Sequence, residues 1–122
     1  MSPRKATRQD TKEHNRDLVL KTFFDHESIS RAEIARVTRL TRATVSSIVS
    51  LFLDEGLVKR VGRGESIGGK APVLLSLVAD ARYLIGINLE EEQFVGAIIN
   101  LRGEIKEEIT LSLGETDGQD AV

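Results

Sequence analysis

The 122-residue chain has no cysteine and no tryptophan, and it holds only one tyrosine, one methionine, two prolines and two histidines. Without thiols it can form no disulfide, no thiolate metal site and no cysteine nucleophile. With no signal-peptide pattern either, the expected compartment is the cytoplasm. Four phenylalanines and one tyrosine are its only aromatics, so the core must be assembled mainly from Leu, Ile and Val. No apolar run approaches the length needed to cross a bilayer. His14 and His26 stand too far apart along one helix to share a metal ion. No Ser/His/Asp or paired-carboxylate spacing stands out, so no catalytic residue, metal or cofactor is assigned and the chain is not expected to be an enzyme. The run Glu90-Glu91-Glu92 reads as a solvated corner between strands rather than a cation site.

What is present is a soluble mixture, 40% hydrophobic and 30% charged, with a net charge of -2. That total conceals a sorting of charge along the chain. Residues 1–72 carry a surplus of +5 and residues 73–122 a surplus of -7. The basic part is where a nucleic-acid partner would bind, although charge alone does not distinguish such a surface from a solvated one.

Residues 1–10 lack apolar periodicity and read as a flexible basic tail. From Thr11 to about His26 the spacing of Val19, Leu20, Phe23 and Phe24 predicts a helix, with Leu18 off the stripe. Ser30 and Glu33 form a capping-box signature for a second, short helix, with Ile29 and Ile34 as its hydrophobic staple. Thr41 caps a third helix, over about Arg42 to Glu55, with Leu40 and Val45 as its staple. Val45, Ile48, Val49 and Phe52 mark its buried stripe. The opposite face carries Arg42, Ala43, Thr44, Ser46, Ser47 and Ser50, small side chains that permit close approach. Gly56 stops the helix.

Two strand-like runs follow, Leu57 to Val61 and Val73 to Leu77, around a basic, Gly-rich tip. Three helices and such a hairpin make a winged helix-turn-helix, whose third helix enters the DNA major groove while the wing touches the backbone or minor groove. Further runs at Tyr83 to Leu89, Phe94 to Asn100 and Ile105 to Leu113 predict an antiparallel meander, and an acidic end over residues 114–122 is expected to fray. Three strands alone leave a face and two edges uncovered. The expected class is therefore α+β: a tail over residues 1–10, a three-helix winged helix-turn-helix over 11–78, and a partial antiparallel β-meander over 79–122.

If the motif holds, the amides opening the second and third helices at Ser30 and Thr41 face phosphates, with Arg31, Arg36 or Arg39 supplying charge. Arg42, Thr44, Ser46, Ser47 and Ser50 are the candidates for base edges, Arg42 through a bidentate contact to guanine. Arg60, Arg63 and Lys70 are the wing candidates. The expected partner is double-stranded DNA, bound by a homodimer on paired half-sites.

The residues also resemble a known family. Asn15-Arg16, the segment SISRAEIARVTRLTRATVSSIVSLFLDEGLV from Ser28 to Val58, GGKAPVLLSL from Gly68 to Leu77 and ARYLIGINL from Ala81 to Leu89 are together similar to ROK-family transcriptional repressors, a family that also includes sugar kinases. The resemblance implies a repressor of sugar-metabolism genes, and a meander that opens an actin-like domain for which the chain here is too short. It implies neither nucleotide nor sugar-effector binding for this chain. Where family kinases have an Asp-x-Gly-x-Thr turn, the sequence reads Asn88-Leu89-Glu90-Glu91-Glu92, an acidic run that would repel phosphate. The cysteine-rich zinc site of many members is missing too. Relatives commonly have glycine between the second and third helices, where this sequence has Arg39. The alternatives are a fragment of a ROK-type sugar kinase and a winged helix used for protein contacts.

Overall fold

The computed structural model describes residues 7–65 and 68–112. Most of the expected tail, two residues of the wing tip and the acidic end lie outside the described residues. The order of elements is α1 (Arg8–Asp25), α2 (Arg31–Thr38), α3 (Arg42–Asp54), β1 (Val58–Arg63), β2 (Val73–Leu77), a 3-10 turn (Ala79–Ala81), β3 (Tyr83–Glu90), β4 (Gln93–Asn100) and β5 (Ile105–Ser112). The chain divides between Val78 and Ala79 into two compact units.

In the first unit α1 begins three residues earlier than its apolar stripe suggests, so residues 8–10 of the expected tail are helical. The cause is a reciprocal cap: the Thr7 hydroxyl accepts from the Asp10 amide and the Asp10 carboxylate accepts from the Thr7 amide, each at 3.0 Å. The buried face of α1 is Val19, Thr22 and Phe23. Phe24, expected on this stripe, is half exposed. Thr22 belongs on it because its hydroxyl donates to the Leu18 carbonyl at 2.8 Å, which leaves its methyl group free to pack.

Ser30 caps α2 through the Glu33 amide at 3.2 Å, but the expected box is half formed, because the Glu33 carboxylate turns to Arg36. The helix ends on Arg39, whose backbone is left-handed at φ 63°, ψ 21°. Thr41 then caps α3 through the Thr44 amide at 3.1 Å. At the far end of α3 the Leu57 amide donates to Phe52 O at 2.9 Å and the Gly56 amide to Leu53 O at 3.1 Å. This is a Schellman arrangement, and it places Gly56 at φ 74°.

The buried stripe of α3 is Val45, Ile48, Val49 and Phe52. Phe52 meets Phe23 of α1 with ring centroids 6.4 Å apart at 58°, a tilted pairing favoured by the ring quadrupoles. Ile29, Ile34, Ala35, Val58, Leu75 and Leu77 complete the core. β1 and β2 pair antiparallel from Val58↔Leu77 to Arg63↔Val73, with a bulge between Arg60 and Gly62. One further strand-like connection ties helices to wing: Ile29 and Leu75 exchange both backbone hydrogen bonds at 2.9 Å. The segment entering α2 is thereby clamped to the middle of β2.

The second unit is a three-stranded antiparallel meander in the order β3-β4-β5. Tyr83↔Asn100 and Glu90↔Gln93 bound the first ladder, and Gln93↔Ser112 opens the second. Asn100 is buried and organises the turn after β4. Its carboxamide donates to Asp80 Oδ1 at 3.0 Å and Glu104 Oε1 at 2.7 Å, and its oxygen accepts from the Arg102 and Glu104 amides. One face of the sheet carries Ile85, Ile87, Phe94, Ile98, Ile109 and Leu111 around a shallow apolar depression. Ile85 and Ile87 are 74% and 73% exposed.

Candidate nucleic-acid interface

An α-helix turns about 100° per residue, so the buried stripe of α3 fixes which side chains face away from the core. Ala43, Ser47 and Ser50 point outward, and all three are exposed. Arg42 and Ser46 lie on the flank toward α2 and the wing, where they share a groove with Ser30, Arg31, Ala32, Pro72 and Val73. Three elements meet there: the first turn of α2, the first two turns of α3 and the start of β2, at the end nearest the wing tip. The Ile29–Leu75 clamp holds them in that relation, because it fixes the α2 entry to the wing strand one residue before the cap.

The sequence-derived residues distribute unevenly over this surface. Arg42 and Ser46 come together with Ser30 and Arg31. Ser30 is nearly buried and its hydroxyl is engaged by the Glu33 amide, so its backbone, not its side chain, is what the groove offers. The Thr41 hydroxyl caps the Thr44 amide and donates to Thr44 Oγ1 at 2.9 Å. Thr44 itself stands on the other flank of α3, facing α1, which separates it from the Arg42 and Ser46 side. Ser47 borders that flank and is exposed.

On the wing, Arg60 and Lys70 are exposed. Arg63 donates from Nη1 to the Ala71 carbonyl at 3.0 Å, which braces the hairpin together with the Gly64 amide to Pro72 carbonyl bond at 2.8 Å. Of the arginines expected to supply charge, Arg36 is paired with Glu33. The hydrogen bond from Arg36 holds the Glu33 carboxyl below its ordinary value, and the same bond raises Arg36. Part of the charge of Arg36 is therefore committed within its own helix. Arg31 and Arg42 carry no such ion pair among the described residues.

Among the described residues no group of three His, Asp or Glu side chains is placed to hold a metal ion. In the turn at Glu90 to Gln93, Glu90 accepts from Gln93 Nε2 at 2.6 Å and from Asn88 Nδ2 at 3.2 Å. No helix among the described residues is long and apolar enough to cross a membrane.

Sequence reasoning missed the groove between α1 and α3, where Gln9, Lys12, Asn15 and Arg16 of α1 face Thr44, Ser47, Ile48 and Leu51 of α3. A signal was available: the α1 residues continue the Val19–Phe23 stripe of that helix toward its start, but a search for apolar periodicity stops where the stripe turns polar.

No family model matches the chain. It is similar to a putative xylose repressor of Caldicellulosiruptor sp. (strain Rt8B.4), 39% identical over 106 residues that make up 85% of this chain and 27% of that protein. It is similar to the xylose repressor of Bacillus spizizenii, 38% identical over 77% of this chain and 24% of the relative. The DNA-binding transcriptional dual regulator NagC of Escherichia coli is 27% identical over 88% of this chain and 27% of its own length. The chain thus spans about a quarter of the length of these curated relatives. Among solved structures it shares the fold of a ROK family transcriptional regulator homologous to the E. coli MLC protein. The TM-score is 0.68 and the identity 22%, over 91% of this chain and 28% of that one.

Proposed function

We propose that this chain, which belongs to the ROK family of transcriptional repressors, binds double-stranded DNA with α3 in the major groove. The observation that supports this most is the groove shared by Ser30, Arg31, Arg42, Ser46 and Pro72. It joins a capped helix start, whose amides favour anions, to the exposed first turns of α3 and the start of β2 beside the wing tip. An isolated helix pair would not need that junction. Arg42 and Ser46 read base edges at the start of α3, with Ser47 and Ser50 following along the exposed face. The Ser30 and Thr41 caps orient amides toward phosphates, and Arg31 adds charge beside them. Arg60 and Lys70 extend the contact from the wing, which Arg63 stiffens.

The genes controlled are proposed to serve sugar metabolism, on the strength of relatives named as xylose repressors. The working unit is proposed to be a homodimer, because a single helix-turn-helix reads one half-site and paired half-sites lie about one helical turn apart.

Fluorescence anisotropy of a labelled duplex from the DNA upstream of the gene, against a scrambled duplex, tests this reading. Preferential binding that weakens steeply with salt, and a preference lost in Arg42→Ala and Ser46→Ala, is the expected result. Binding that is indifferent to salt, or equal for both duplexes and unaffected by Arg42→Ala, would overturn it.

A further inference from the structure

The interface has a second flank. Along α1 the face that buries Val19 and Phe23 continues toward the helix start at spacings of three, four and seven residues, and there it becomes Arg16, Asn15 and Lys12. A helix made only to cover the core would end this stripe or keep it apolar. Instead these side chains line a groove of about 580 Å³ against Thr44, Ser47, Ile48 and Leu51 of α3, so that an apolar floor is rimmed by cations and amides. Among the described residues no carboxylate forms an ion pair with Lys12 or Arg16. Glu13 and Asp17 flank Arg16 on its far side, in a separate depression toward Leu57.

This groove lies across α3 from the one that holds Arg42 and Ser46. An α-helix with its side chains is about 10 to 12 Å across, and the major groove is about 12 Å wide. A helix seated there fills it, so whatever stands on the helix's two flanks faces the two sugar-phosphate rims.

We propose that the α1–α3 groove receives the second phosphate strand of the bound duplex, with Lys12 and Arg16 as its cations and Asn15 as an amide donor. The inference rests on the DNA-binding function proposed above. The α2 and wing flank grips one strand and α1 the other, so α3 is held from both sides. These contacts carry no sequence information, because phosphate oxygens are the same at every base pair.

The test is anisotropy with the full chain on the upstream and scrambled duplexes, over about 50 to about 200 mM salt. Each phosphate cation contributes about 0.9 to the slope of log K against log salt, equivalent to about a 3.5-fold loss of affinity over that range. Lys12→Ala and Arg16→Ala should each lower the slope by that amount, the double variant by about twice it, and equally on both duplexes. Lys12→Arg should keep the wild-type slope. Circular dichroism melting confirms that the variants compared are folded.

An unchanged slope in folded Lys12→Ala and Arg16→Ala proteins overturns the second-strand contact while leaving the reading by Arg42 intact. A loss confined to one duplex also overturns it, since it would mean base recognition. If the wild type itself shows no salt-sensitive binding, the parent function fails and this inference with it.

Discussion

Arg39 occupies a left-handed backbone conformation, φ 63° and ψ 21°, between the two helices of the motif. A side chain with a Cβ costs roughly 1 to 2 kcal/mol there, because Cβ crowds the carbonyl that follows. Glycine removes that cost, but it enlarges the conformational freedom of the unfolded chain by an opposing 0.4 to 1 kcal/mol, roughly. The Arg39 side chain is exposed, and the hydrogen bond that ends α2 comes from its backbone amide to Ala35 O at 2.8 Å, which any residue supplies. Arg39→Gly should therefore stabilise the first unit by about 0.5 to 1 kcal/mol, a rise in Tm of roughly 2 to 8 °C for a domain of this size. Arg39→Ala keeps Cβ and should show no gain. Thermal unfolding followed at the helical circular-dichroism band, with urea midpoints beside it, measures both. A gain in Arg39→Ala equal to that in Arg39→Gly would refute the backbone argument and place the effect in the side chain. If the glycine variant is more stable yet binds DNA as wild type does, Arg39 makes no phosphate contact.

Other elements give further expectations. Thr41→Ala removes the α3 cap and should cost about 1 kcal/mol, read as a lowered urea midpoint of the first unit; no change would mean that the cap contributes nothing. Asn100→Ala leaves the Arg102 and Glu104 amides without their acceptor, and should destabilise the β4–β5 turn by about 1 to 3 kcal/mol. Faster hydrogen exchange at those two amides would show it, and unchanged protection would contradict it. Glu33 has a folded-state pKa lowered by Arg36. Its small contribution to stability is thus present above the unfolded-state value and lost as pH falls through the folded one. NMR titration should find the Glu33 carboxyl below its ordinary value in the wild type and restored toward it in Arg36→Gln, and equal titration in both would refute the pairing.

The helices were legible where local chemistry and apolar period agree. Ser30 and Thr41 cap as their positions imply, the α3 stripe is the one its spacing gives, and Gly56 stops the helix as a left-handed residue does. What escaped the sequence had no period to show. Ile29 joins β2 through a single bridge, which leaves no alternating pattern. Thr22 outranks Phe24 in burial because a hydroxyl satisfied four residues back no longer costs anything to bury, while Phe24 lies off the core-facing arc. The Thr7–Asp10 cap was written in the sequence but masked by its polar neighbours. Glu33 had two partners within reach, and the guanidinium of Arg36 won over a neutral amide, as expected of a charge-assisted bond. On α3, helical phase groups Arg42 with Ser46, whereas Thr44, expected beside them, stands on the other flank of the helix. Residues two positions apart on a helix differ by about 200°, and that turn carries Thr44 to the opposite flank from Arg42 and Ser46.

The most direct test of the central claim is a proton–nitrogen NMR titration of the chain with the upstream duplex. The largest shifts are expected at the amides of Ser30 and Arg31, along the exposed face of α3 at Ala43, Ser46, Ser47 and Ser50, and at Arg60 in the wing. Shifts confined to the meander, or a spectrum unchanged at DNA excess, would contradict it.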